Sequence, residues 1–108
     1  MAEVDDDATS ARFEPFRDEA GECVLLVAGE VDLSNATKFR SAVDAMLLSN
    51  PPRLVVDVRE LTFMDSSGLA ILLQTAATLD AVVLRHPQSS ILRLIETTGV
   101  TSVLKVEA

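Results

Sequence analysis

The 108-residue chain has no tryptophan, no tyrosine, one cysteine, one histidine and nine basic residues against seventeen acidic ones. Each scarcity removes a class of function. A net charge of -8, with no basic stripe and no large aromatic ring beyond four phenylalanines, repels phosphate backbones and anionic lipid, which argues against nucleic-acid binding and peripheral membrane attachment. Cys23 has no second cysteine with which to close a disulfide and no histidine cluster with which to hold zinc, so it reads as a buried thiol in a strand. The longest apolar run, Cys23 to Ala28, is six residues, far short of the roughly 20 needed to cross a bilayer. The Met1 end carries Glu3, Asp5, Asp6 and Asp7 in place of the basic and apolar parts of a signal peptide. These features predict a cytoplasmic protein with no membrane insertion, in which residues 1–11 form an acidic tail and residues 12–108 one domain.

What remains is rich in aliphatic residues, and their spacing alternates. Arg12 to Phe16 is a weak strand, confined by Pro15 to a sheet edge. Cys23 to Ala28, bounded by Gly21 and Gly29, and Leu54 to Val58 read as strands buried on both faces, as does Ala81 to Arg85. Between them, Ser34 to Leu48 places Ala36, Phe39, Val43, Met46 and Leu47 at helical spacing, with Ser34 as N-cap and Asn50-Pro51-Pro52 as the stop. A second helix begins at Asp65 or Ser66. Its residues Leu69, Leu72, Leu73 and Ala76 form one face, leaving Ala70, Ile71 and Gln74 on another that is either covered within the domain or reserved for a partner. The partner is favoured because full coverage is hard to arrange in so short a chain. Ser89 or Ser90 caps a third helix with Ile91, Leu92, Leu94 and Ile95 inward and Gly99 at its end, and Val103 to Val106 closes the chain. The order predicts an α/β fold, a mixed and mostly parallel sheet of four to five strands flanked by helices.

The polar interruption Asp65-Ser66-Ser67-Gly68 is the place to look for chemistry. A hydrolase nucleophile at a strand-to-helix turn needs Gly-x-Ser-x-Gly, and here Met64 and Asp65 precede Ser66. The lone His86, beside Pro87, is a poor candidate base, and no spacing forms a carboxylate pair, a metal motif or a phosphate-cradling glycine loop. The residues therefore predict no enzyme, no metal and no cofactor. A serine that is acted upon fits better. Both hydroxyls lie in the first turn of a helix, where a phosphate of about -1.5 to -2 charge is tolerated by the helix but burdens whatever docks beside it. An ordinary N-cap turn is the competing interpretation, and neither serine is preferred by the local sequence.

Phe63-Met64-Asp65-Ser66-Ser67-Gly68-Leu69, with Gly29-Glu30-Val31-Asp32 about 35 residues earlier, resembles the anti-sigma factor antagonists of the STAS domain family over residues 12–106. The resemblance implies phosphorylation at Ser67 by a partner that is both anti-sigma factor and serine kinase. It further implies release of the sigma factor by the unmodified form, and resetting by a serine phosphatase. It makes Asp32, Asp65, Ser66 and Gly68 neighbours of the phosphosite, and Ala70, Ile71 and Gln74 part of the docking surface. One departure is a shorter second helix, with Leu79-Asp80-Ala81 leading directly into the third buried strand. The alternative within the same fold is a STAS subunit of a transporter or larger signalling assembly, using this surface without a phosphoswitch.

Overall fold

Strand β1 (Ala11–Arg17) turns back on β2 (Cys23–Val31) as an antiparallel hairpin, and every later strand runs parallel to β2. The computed structural model describes residues 11–108, so positions 1–10 of the expected acidic tail lie outside the described residues, and Ala11, expected in that tail, belongs to β1. Helix α1 (Ala36–Leu47) leads to β3 (Arg53–Asp57), and β4 (Leu61–Met64) leads to α2 (Ser66–Ala76). After β5 (Ala81–Arg85), α3 (Ser89–Thr98) crosses to β6 (Leu104–Glu107). The sheet order is β1-β2-β3-β5-β6, with β4 paired to β2.

Among the described residues the sheet has six strands where four to five are expected from the sequence, and β4 is the addition. β1 occupies one edge of β2 along its length, so β3 and β4 share the other: β3 pairs with Val24 to Leu26, and β4 with Gly29 to Val31. Four residues with Thr62 and Phe63 exposed carry too little alternation to read as a strand in isolation. For the same reason β2 does not stop at Ala28. Between Gly29 and Glu30 the pairing passes from Leu61 to Phe63, so the extra residue is Thr62 on β4, while Gly29 takes φ 92, which glycine adopts without strain, and β2 continues through Val31.

The strand interiors explain their uninterrupted apolar runs. On the helix-covered face Leu25, Val27, Leu54, Val56, Val82, Leu84 and Leu104 pack with Phe39, Leu72, Ile91 and Ile95, while Val24, Val55 and Val83 form a separate buried cluster. Each full burial contributes on the order of 1.5–3 kcal/mol. Phe13 of β1 stacks on Phe39 of α1, ring centroids 5.5 Å apart, which fastens the edge hairpin to the helix layer. Across the sheet, Arg85 binds Asp18 at 3.2 Å and Glu107 at 2.9 Å, tying β5 to the hairpin turn and to β6.

Four details differ from the sequence expectations, beginning with Cys23, which lies at the start of β2 and is half-buried rather than buried. The α1 N-cap is Asn35 rather than Ser34, because the Ser34 hydroxyl and amide are both used by Asp32. The α3 N-cap is Gln88 rather than Ser89 or Ser90; its side chain makes no cap but donates to the Arg59 carbonyl at 2.8 Å. Ile71 is 4 % exposed, so the expectation that it points away from the core is corrected. α1 lies against α2 and covers Ile71, which is why α2 is apolar on more than one side. Gly99 ends α3 in the left-handed conformation, as its sequence position predicts. None of the described helices is long and apolar enough to cross a membrane.

Candidate functional site

Parallel pairing sets the site. Val31 and Met64 are register partners at the ends of β2 and β4, so the next residues, Asp32 and Asp65, emerge side by side, and the Asp65 amide donates to the Val31 carbonyl at 3.1 Å. The sequence places these two acids more than thirty positions apart; the sheet makes them neighbours.

Asp65 has extended backbone and caps α2, its Oδ1 accepting from the Ser67 amide at 2.9 Å and from the Ser67 hydroxyl at 2.5 Å. The Ser67 hydroxyl is the main cause holding the Asp65 carboxyl below the usual carboxylate range; burial opposes it, and the amides of Ser67, Gly68 and Leu33 reinforce it. The Leu33 contribution comes from the β2–α1 loop, so one carboxylate ties both loops together. Asp32 repeats the arrangement within its own loop, accepting from the Ser34 amide at 2.9 Å and the Ser34 hydroxyl at 2.5 Å. Asn35, 4 % exposed, fixes that loop by accepting from the Asp32 amide at 3.0 Å and donating to the Glu30 carbonyl at 2.8 Å.

The remaining candidates divide by burial. Ser66, Ala70 and Gln74 are exposed, and Ser67 is half-buried on the rim of a shallow groove between α1 and α2. Gly68 is buried beneath the turn. A Cβ there would lie 2.7 Å from Met64 Cγ and 2.8 Å from Val31 Cγ1, so glycine lets the start of α2 sit directly on the ends of β2 and β4. Ile71 belongs to the groove floor, not to an outward face. The Ser67 hydroxyl donates to Asp65, not to His86, which ends β5 at φ 58.

Four residues of this region escape a sequence reading. Leu33, 80 % exposed, and Phe63, 48 % exposed, are large apolar side chains beside the two acids. Thr37 and Arg40 bring α1 into the groove, and the Arg40 guanidinium donates to Gln74 Oε1. That contact spans 34 residues, so no local pattern announces it. The local signal for Leu33 is an apolar residue standing between Asp32 and Ser34 in a polar turn.

A six-stranded mixed sheet with helical crossovers, an acid-flanked serine in the first turn of the second helix and a glycine wedged beneath it define a small α/β domain with one built turn at the carboxyl ends of its strands. The chain belongs to the STAS domain family: the family model described as "Mlab, STAS domain" matches residues 15–106. It is similar to the anti-sigma-F factor antagonist RsfB of Mycobacterium tuberculosis, 37% identical over 59 residues that cover 55% of this chain and 48% of RsfB. The chain thus matches about half the length of that curated relative. It also resembles the crystal structure of an anti-sigma factor antagonist from Mycobacterium paratuberculosis (TM-score 0.77, 31% identity, 92% of this chain and 86% of the other). The phosphorylated form of the Bacillus cell fate determinant SpoIIAA shares the fold, at TM-score 0.67 and 18% identity, covering 90% and 92% of the two chains.

Proposed function

We propose that this protein is an anti-sigma factor antagonist acting in the cytoplasm: unmodified, it binds an anti-sigma factor that is also a serine kinase, and phosphate on Ser67 breaks that complex until a serine phosphatase removes it. The observation that carries the reading is the placement of Ser67, on the rim of an open groove with its hydroxyl on Asp65 and with Asp32 on the adjoining strand end. The names of the similar proteins support the antagonist role, and SpoIIAA has a phosphorylated form.

The physics of the switch follows from the charges. Asp32 and Asp65 already make this edge anionic, and exposed Leu33, Phe63 and Ala70 beside them offer apolar contact area. A partner covering this edge matches it with cations and apolar pockets. Adding a dianion beside Asp65 then forces the complex to bury unpaired charge, at a cost of several kcal/mol, while the free protein keeps its phosphate in water. Binding weakens without any need for the domain to unfold.

The test is a pull-down from host lysate with the wild-type chain and Ser67→Glu in parallel, the retained proteins being identified by mass spectrometry. The expected result is a nucleotide-binding, kinase-like protein held by the wild type and lost by Ser67→Glu. Identical sets on both baits would overturn the switch and leave Ser67 as a first-turn residue held by the Asp65 cap in a permanent subunit.

A further inference from the structure

The groove beside Ser67 contains a guanidinium. Its walls are Ala36, Thr37 and Arg40 from α1 and Ser67, Ala70 and Ile71 from α2. Arg40 Nη2 is engaged there by a neutral acceptor, the Gln74 side-chain carbonyl, at an exposed position. Both helices return from the same end of a parallel sheet, α1 from β2 to β3 and α2 from β4 to β5, so they run in the same direction. Ala36 opens α1 and Ser67 lies in the first turn of α2. Arg40 lines the same groove as Ser67 and Ile71 and reaches Gln74, and along α2 Ile71 lies about 6 Å beyond Ser67 and about 4.5 Å short of Gln74 at 1.5 Å per residue. The Arg40 side chain can reach in either direction along the groove.

We propose that Arg40 is an intramolecular receptor for the Ser67 phosphate, exchanging Gln74 for the phosphate oxygens when Ser67 is modified; this rests on the reading of Ser67 as the phosphoacceptor. The exchange is favoured by chemistry. A guanidinium presents a planar fork of donors that matches phosphate, and charge-assisted bonds are roughly twice as strong as those to a neutral amide. The acids around Ser67, Asp65 two residues before it and Asp32 on the neighbouring strand end, supply repulsion that Arg40 offsets. Releasing Gln74 costs little, because its amide is exposed and returns to water. The consequence for the switch is geometric as well as electrostatic. Drawn toward Ser67, the Arg40 side chain lies across Ala36, Ala70 and Ile71 and fills the groove that the unmodified protein leaves open.

Phosphoserine placed at position 67 by genetic encoding allows the test without any kinase. The second ionisation of that phosphate is followed by ³¹P NMR in the otherwise wild-type chain, in Arg40→Gln and in Arg40→Lys, with the circular dichroism of each unmodified chain recorded to establish folding. The expected midpoint is about one pH unit lower with Arg40 than with Arg40→Gln, and intermediate with Arg40→Lys, since a cation within about 4–6 Å favours the dianion. Superimposable titrations of the Arg40 and Arg40→Gln proteins would overturn the proposal. The two readings fail separately: absence of phosphate at Ser67 in host cells removes the function proposed above and leaves the ion pair standing, whereas superimposable titrations remove Arg40 and leave the function.

Discussion

The chain makes nearly the same turn twice. Asp32-Leu33-Ser34 and Asp65-Ser66-Ser67 each close with an aspartate accepting from the amide and hydroxyl of a serine two residues on, at 2.9 and 2.5 Å in both. Their surroundings differ. Ser34 is exposed and lies before a helix whose cap position belongs to Asn35, whereas Ser67 lies inside its helix, half-buried, with a groove and Arg40 on one side and Gly68 packed beneath. Local chemistry alone does not distinguish a site from a loop. What does so is the element that the turn opens onto.

The largest difference should appear in partner binding. Ser67→Glu is expected to weaken the anti-sigma factor complex at least about a hundredfold, near 2.8 kcal/mol at about 1.4 kcal/mol per decade, while Ser34→Glu changes affinity by less than about threefold. Titration calorimetry with the captured partner measures both. Equal losses would mean that the partner reads acidity over the whole edge, and the contrast between the turns would collapse.

Stability comes next, and here the two turns place the burden on different residues. Gly68→Ala forces a methyl into Met64 and Val31, an overpacking expected to cost about 1–3 kcal/mol. Asn35→Ala removes a buried side-chain amide that joins the part-buried Glu30 carbonyl and Asp32 amide, two hydrogen bonds whose loss costs about 1–3 kcal/mol. Urea denaturation checks both. A Gly68→Ala protein as stable as wild type would show that α2 can shift off the strand ends, and that the close approach is not what positions Ser67.

These residues also mark where sequence reading stops. The β-α alternation, the edge position of β1, the strand Ala81–Arg85 and the Gly99 cap were legible because period, proline and glycine act locally. The antiparallel hairpin and parallel remainder followed from the order of elements. By contrast β4 exists only because β2 continues past Gly29, Ile71 is buried only because α1 lies over it, and Asn35 matters only through the Glu30 carbonyl. Each depends on a partner the local pattern does not contain. The Asp65-Ser66-Ser67-Gly68 turn was visible in the sequence; its adjacency to Asp32 required the register of Val31 with Met64.

The cap itself sets a smaller contrast. Asp65→Ala removes the N-cap acceptor of α2 and is expected to cost about 1 kcal/mol, within the usual range of about 0.5–2. Asp32→Ala, which serves a turn outside the helix, should stay within about 0.5 kcal/mol. If the two losses were equal, the first turn would be supporting α1 through its aspartate, and Asn35 would lose the role assigned to it.

The finest test separates the charge of Asp65 from its shape. Asn at position 65 keeps a side-chain oxygen for the Ser67 amide and hydroxyl but cannot ionise. Because the Asp65 carboxyl is held lower in the folded chain than its unfolded value near 3.9, the unfolded chain binds the proton more readily. Its contribution to stability is therefore complete above about pH 5, and is lost as pH falls through the unfolded and then the folded value. The stability gap between wild type and Asp65→Asn should accordingly be constant from pH 5 to 7 and narrow below about pH 4. Asp18, also held low by its own turn and by Arg85, titrates in both proteins and cancels from the difference. A gap that stays flat down to pH 3 would show that Ser67 and the amides of Gly68 and Leu33 gain nothing from the negative charge, making Asp65 a polar cap and nothing more.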